Sequence, residues 1–427
     1  MKNVLFFLPI LWLCLYCVPL DQSSSQHATG KVLAYDNRQY ESEIRTVKLH
    51  PFKGNIEDEI QPAAIHIRQN IPLLLSFDHL NSDYENFKVK IYHCTRDWSK
   101  SNLNENEYIA TFNEFPINEY ETSFNTRTSY IHYRFIVPQV KLTGNYLLVV
   151  YRGNNPNDLI LSRRFVVYDQ VVSISPKVGP SSNISHRSTH QQVTFSIDYR
   201  NLDIYNPHEE VRVTLMQNER WDNAITTLKP TFARESEQLL EYEHYDLSNN
   251  FTGGNEFRFF DMRTINYSGQ NISGIRKGED RIDAFIMKDK DRGKEAYGEV
   301  NDINGNYVIN NLESSPPEIT ADYINVHFFL ETERTSPFPV YIAGLFNDWG
   351  FDKANQLEYD TSLKGYTGTL LLKQGWYNYI YYIPESEDPY YFEGSHYQTS
   401  NQYTFLVYYR PQGGRYDQVI GYLDYNY

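Results

Sequence analysis

A thiol beside an imidazole is the first pairing in this chain that could do chemistry, because a neighbouring imidazolium lowers a thiol pKa and creates a nucleophile. His93 and Cys94 are such a pair. They continue the alternating run Phe87-Val89-Ile91, and adjacent side chains on a strand point to opposite faces. The two groups should diverge, leaving Cys94 a buried structural cysteine. Asp289-Lys290-Asp291-Arg292-Gly293 opens like a calcium loop. Glycine falls at its fifth position instead of the sixth, however, and Val300 stands at the twelfth, where a bidentate carboxylate is required. Asp302-Ile303-Asn304-Gly305 fails similarly and is better read as a turn. Asp78, Asp83 and Glu85 could supply a glycosidase-type carboxylate pair, which only a measured separation would establish. The sequence holds no Gly-x-Ser-x-Gly elbow, His-Glu-x-x-His pair, glycine-rich phosphate loop or Cys-x-x-Cys. No catalytic residue, metal ligand or cofactor is expected, and the chain reads as a non-enzyme.

Aromatic side chains carry the stronger signal. There are 37 Tyr and 24 Phe among 427 residues. Trp376-Tyr377-Asn378-Tyr379-Ile380-Tyr381-Tyr382, Tyr390-Tyr391-Phe392 and Tyr408-Tyr409 place rings on both faces of presumed strands. Only one face of such a strand faces its own core, so the others should line a surface able to grip a protein or a sugar. Trp349, Tyr390 and Tyr391 are the partner-contact candidates. Phe77, Trp98, Phe124 and Tyr146 are read as packing residues, with Tyr146 resembling the tyrosine that anchors a sandwich corner.

The elements that must carry these residues are strands. Period-two alternation dominates: in Tyr130 to Val137, Ile131, Tyr133, Phe135 and Val137 share one face, with His132 and Arg134 on the wet one. The pattern recurs in Val193-Phe195-Ile197-Tyr199, Val211-Val213-Leu215, Ile324-Val326-Phe328-Leu330 and Tyr403-Phe405-Val407-Tyr409. The fold class is all-β, as tandem β-sandwiches. Asn304-Gly305 suits both centres of a type I′ turn and predicts a tight hairpin. Turn residues collect at 175–183 and again at Ser314-Ser315-Pro316-Pro317. They divide the chain into sandwiches at 28–170, 171–316 and 317–427.

Residues 1–25 read as a signal peptide, with Lys2 before a short apolar run and cleavage after Ser25. Cys17 raises a lipoprotein alternative, against which Tyr16 is bulky where a small residue is needed. Cys14 and Cys17 leave with this segment, so Cys94 is alone and no internal disulfide can form. The net charge of −15, with no basic cluster longer than Arg163-Arg164, disfavours nucleic acid and anionic lipid as partners. No other apolar run is long enough to span a bilayer, so membrane association has to come through a partner.

Several motifs in order carry a resemblance. They are Leu74-Leu75-Ser76-Phe77-Asp78-His79-Leu80, Tyr92-His93-Cys94-Thr95-Arg96-Asp97-Trp98, Ser123-Phe124-Asn125-Thr126, Tyr130-Ile131-His132-Tyr133, Gly144-Asn145-Tyr146 and Arg163-Arg164-Phe165. Further on stand Gly253-Gly254-Asn255-Glu256-Phe257-Arg258, Ala321-Asp322-Tyr323, Lys373-Gln374-Gly375 and Gln398-Thr399-Ser400-Asn401-Gln402-Tyr403. Together they resemble the plug proteins of the type IX secretion system of Bacteroidetes. The resemblance implies a periplasmic, non-enzymatic stopper that binds and seals the periplasmic mouth of an outer-membrane translocon β-barrel. Val340 to Trp349 with Lys373 to Tyr379 is also similar to early-set glycogen-binding sandwiches, which implies the alternative of glucan stacking on Trp349. Sequons at Asn183, Asn250, Asn266 and Asn271 would fit a third reading, a glycosylated eukaryotic adhesion protein.

Overall fold

The computed structural model describes residues 30–80 and 83–427; the expected signal peptide, with Cys14 and Cys17, lies outside the described residues. The protein is all-β, and the alternation seen in the sequence is realised as antiparallel sheets packed face to face.

The first sandwich pairs two sheets over one core. One sheet runs Arg38–Gln39, Leu159–Tyr168, Gly144–Arg152, Phe87–Cys94, Phe115–Pro116, with Ala64–His66 added in parallel on Leu159–Tyr168. The other runs Ile44–Pro51, Leu73–His79, Ile131–Ile136, Glu119–Thr122. Between them Phe77, Phe87, Ile131, Tyr133, Tyr146 and Phe165 are almost completely buried. Tyr146 donates its hydroxyl to the Leu142 carbonyl at 2.7 Å, the corner bond that its position predicts. Phe124 differs from expectation: it is 70% exposed, because its strand ends at Thr122 and its backbone N–H reaches across to the Ile319 carbonyl at 2.8 Å.

Strand pairing runs across the expected 316/317 division. Ser173–Pro180, His190–Asp198, Leu239–Tyr242 and Phe232–Arg234 form one sheet of the second sandwich. Its opposing sheet is Val211–Gln217 paired with Gln402–Tyr409 and then Gln418–Asn426, from the far end of the chain. Phe195, Leu240 and Tyr242 share a core with Phe405, Val407 and Ile420. Arg258–Asp261 and Ile272 to Ile309 instead belong with Tyr323–Glu331, Gly365–Lys373 and Gly375–Tyr382 in a ten-stranded sheet that curls around its own core. The third unit is thus inserted into the second, and 316/317 is no boundary. Ser314 to Pro316 is a loop inside the insert that leads into the short helix Pro317–Thr320, with Ile309 and Ala321 on either side in one core. Turn composition marks where the chain bends and carries no information about which strands pair across it.

Both crossings into and out of the insert are laced together. Asn401 Nδ2 donates to the Gly253 carbonyl at 2.8 Å and Thr399 Oγ1 to the Gly254 carbonyl at 2.9 Å. Asn304 and Gly305 both take positive φ, 53° and 83°, and Asn306 N–H closes the turn on the Ile303 carbonyl. Only Tyr307–Ile309 on its far side is a strand, so the turn is present without the two-stranded hairpin.

Candidate functional site

The sequence-selected chemical groups come apart in the fold. His93 packs edge-on against Tyr146 at 5.0 Å, whereas Cys94 lies on the opposite face with Trp98, Leu147 and Val149. Burial pushes the Cys94 thiol up to about 12, which removes its nucleophilic form at neutral pH. Asp83 is exposed, Glu85 is bound by Arg152 Nε at 2.5 Å, and Asp78 pairs elsewhere. Asp289 accepts from Tyr379, Tyr381 and Arg258, and Asp291 from Arg334, so the calcium-like segment is spent on internal bonds.

Two of the three rings expected at a contact surface are interior. Trp349 is 5% and Tyr390 8% exposed. Both faces of Gly375–Tyr382 are covered: Tyr377, Tyr379 and Tyr381 lie in the core of the insert, while Ile380 and Tyr382 join Phe257, Trp349 and Tyr390 in a separate cluster. Arg220 of the second sandwich enters that cluster. Its guanidinium lies 4.5 Å from the ring centres of both Trp349 and Tyr382, donates to Tyr390 Oη at 3.3 Å, and pairs with Asp222 at 2.5 Å. Tyr391 is half-buried, under the Arg334 guanidinium at 3.7 Å. The Trp349 ring is therefore occupied by a cation and is no open platform for a sugar.

The same logic joins every pair of sandwiches. Between the first and second, Arg164 lies 4.5 Å over Trp98 and 5.3 Å over Trp221. Asp417 there accepts from the Arg96 N–H at 2.8 Å, and Tyr408 donates to Asn145 Oδ1 at 3.0 Å. Between the first and third, Asp78 is fully buried and accepts from Lys373 Nζ at 2.6 Å, Tyr323 Oη at 2.7 Å and His132 Nδ1 at 2.7 Å. Lys373 also donates to the Glu318 carbonyl and lies 4.2 Å from the Tyr130 ring centre. Burial alone would raise the Asp78 pKa, but Lys373 and His132 outweigh it and hold the carboxyl below its ordinary value. Asp322 extends this joint by accepting from the Arg127 and Thr128 N–H groups.

A strained turn ties the third unit to both others. Asp348 and Trp349 are consecutive non-glycine residues with positive φ, 53° and 55°, an uncommon conformation that surrounding contacts must hold. The turn sends Asp348 to Arg163 of the first sandwich at 3.0 Å and Trp349 to Arg220 of the second. Gly305 lies beneath it; a Cβ there would come within 2.9 Å of both the Phe257 and Trp349 rings.

Where the three units meet there is a cavity of about 130 Å³, lined by Lys48, Glu59, Arg163, Glu219, Tyr307 and Asp348 among others. Burial and the nearby Asp424 charge raise Glu219 to about 8, with Lys48 opposing. An acid whose folded pKa lies above its unfolded value of about 4.3 loses stability as pH rises between the two. Glu219→Gln should therefore stabilise the protein by about 2 to 3 kcal/mol at pH 8, with no gain below about pH 4.5. Chemical denaturation of both proteins across that range checks this, and a gain independent of pH would refute it.

These joints define an all-β protein whose buried charges serve assembly of its sandwiches. A solved structure of a hypothetical protein from Parabacteroides merdae is similar over 93% of this chain and 100% of that one, with 30% identity and a TM-score of 0.86. No curated protein matches the chain. Residues 44–169 match the model described as the type 9 secretion system plug protein 1st domain. The first sandwich is thus a type IX secretion system plug first domain.

Proposed function

We propose that this chain is a periplasmic plug, binding and sealing the periplasmic mouth of the outer-membrane translocon barrel of the type IX secretion system. The family match over residues 44–169 carries the reading, since it ties the first sandwich to that system. The joints support it physically. A stopper for a wide aqueous pore has to keep its shape while it covers the opening, and cation–aromatic and buried ion-pair contacts between every pair of sandwiches oppose bending. The −15 charge fits a protein that stays soluble when free and is steered to a basic rim.

With Trp349 and Tyr390 interior, the contact surface belongs on the matched sandwich. Glu119–Thr122 is an edge strand of four exposed residues; its Tyr120 and the neighbouring Tyr84 are both exposed, with ring centres 4.5 Å apart. A pull-down of the tagged chain against detergent-solubilised outer membranes should capture one very large barrel protein. Capture should fall about tenfold with Tyr84→Ala and Tyr120→Ala together, a loss of the size of one aromatic contact point. Recovery of no barrel would overturn the plug reading; undiminished capture by the variant would overturn only the choice of surface.

A further inference from the structure

A second cleft, of about 330 Å³, lies between the first sandwich and the insert. That volume is at the small end of the range for ligand pockets, about 300 to 1,000 Å³. Arg45 and Thr46 form part of its first-sandwich wall; Tyr323, Asn325, Asn347 and Asp352 stand on the other. Two independent observations mark Arg45. Its Nε is buried without a hydrogen-bond partner, and a buried donor left unpaired needs an explanation such as a missing ligand. The strand that carries it is also bulged. Pairing slips by one residue between Arg45 and Lys48, and Thr46 takes φ 49°, a genuine outlier for a β-branched residue. Bulges of this kind re-aim side chains. Thr46 is held in place by Tyr323 Oη at 2.7 Å, and the strained Thr46 and the unpartnered Arg45 Nε belong to residues that line the same cleft.

From this geometry we infer that the cleft binds the carboxylate of an amino acid or peptide end, gripped by Arg45. A guanidinium presents a planar fork that matches a carboxylate through two parallel N–H donors. Arg45 neutralises one charge, since Lys373, the other cation lining the cleft, is paired with Asp78, and Asp352 on the wall disfavours a dianionic phosphate. Asp352 has one carboxylate oxygen tied to the Ala354 N–H, leaving the other to accept from an ammonium or peptide N–H of the ligand. Asn325 and Asn347 supply amides for its peptide groups, and Leu371 an apolar wall. The inference is independent of docking on a translocon.

The test is calorimetric titration of the full mature chain with glycyl-phenylalanine, its C-terminal amide, and a decapeptide ending in the same dipeptide. The free dipeptide should bind, and both amidation and Arg45→Gln should weaken it about tenfold or more, while circular dichroism of the variant stays unchanged. The dipeptide-amide comparison uses the unaltered protein, so it stands even if the variant folds poorly. Equal binding of the decapeptide would identify the source as a polypeptide C-terminus; binding of the dipeptide alone would identify a free small molecule. Equal binding of acid and amide, or no heat from any probe up to about 10 mM, would overturn the inference and leave Arg45 holding water only.

Discussion

Lys373→Met should lower stability by about 3 to 5 kcal/mol at neutral pH, the cost of leaving a buried charge unpaired. Lys373 contributes the only ammonium in contact with Asp78 among the described residues, and both side chains are about 1% exposed or less. Methionine matches the stem in length and fills the space over the Tyr130 ring, so the loss reports charge and not a cavity. The pH dependence separates this from general damage. In the parent protein Asp78 sits below its ordinary pKa, so its stabilisation is present above about pH 4 and is lost as pH falls through the folded value. Without Lys373, burial dominates and the Asp78 pKa rises above its unfolded value, so the variant loses stability as pH rises from about 4. The deficit should therefore be largest at neutral pH and shrink on acidification. Adding Asp78→Asn should recover part of it, because the pair couples through direct contact. Urea denaturation of the parent and the two variants at pH 4.5 and 7 measures this, and a deficit of equal size at both would show that Asp78 is not the group left behind.

Strands and their core faces were legible because a local rule sets them. Ile131, Tyr133 and Val137 are buried where alternation puts them, and Cys94 diverges from His93 for the same reason. His132 was assigned to a wet face and is 6% exposed. Alternation finds two faces correctly, but a second unit covering the outer one leaves no mark on the strand itself. The tyrosines of Gly375–Tyr382 failed in the same way. Rings on both faces meant two dry faces, one against the core of the insert and one against Arg220. The discontinuous second sandwich was illegible, since Val211–Gln217 pairs with Gln402–Tyr409 across almost two hundred intervening residues. The family motifs, by contrast, held more than a family. Asp78, Arg96, Trp98, Tyr130, His132, Asn145, Arg163, Arg164, Asp322, Tyr323 and Lys373 all stand in them, and all lie at joints between sandwiches. What looked like scattered fragments of sequence is one set of interfaces.

Arg220→Ala should cost about 3 to 5 kcal/mol, and Trp349→Ala a similar amount. The Arg220 side chain is 1% exposed, so removing it opens a cavity between Trp349 and Tyr382 and strips Tyr390 of its donor. Had Trp349 been a surface platform, its truncation would change stability by no more than about 0.5 kcal/mol. The two substitutions remove one contact from opposite sides, so the double variant should be less destabilised than the sum by about 1 to 2 kcal/mol. Arg220→Lys tests geometry apart from charge: a lysine keeps the cation but cannot stack flat between two rings, and should retain only part of the stability. Thermal denaturation of the four variants decides this, and simple additivity would show that the ring and the guanidinium do not act together. The same variants reach function. Tyr84 and Tyr120 lie on the first sandwich, whereas Arg220 and Trp349 join the second to the third. On the proposed function a stiff assembly is what covers the opening, and Arg220→Lys should then seal less well while still being captured through the proposed contact on the first sandwich. Loss of capture and loss of sealing would then separate, as expected when one unit supplies contact and the joints supply rigidity.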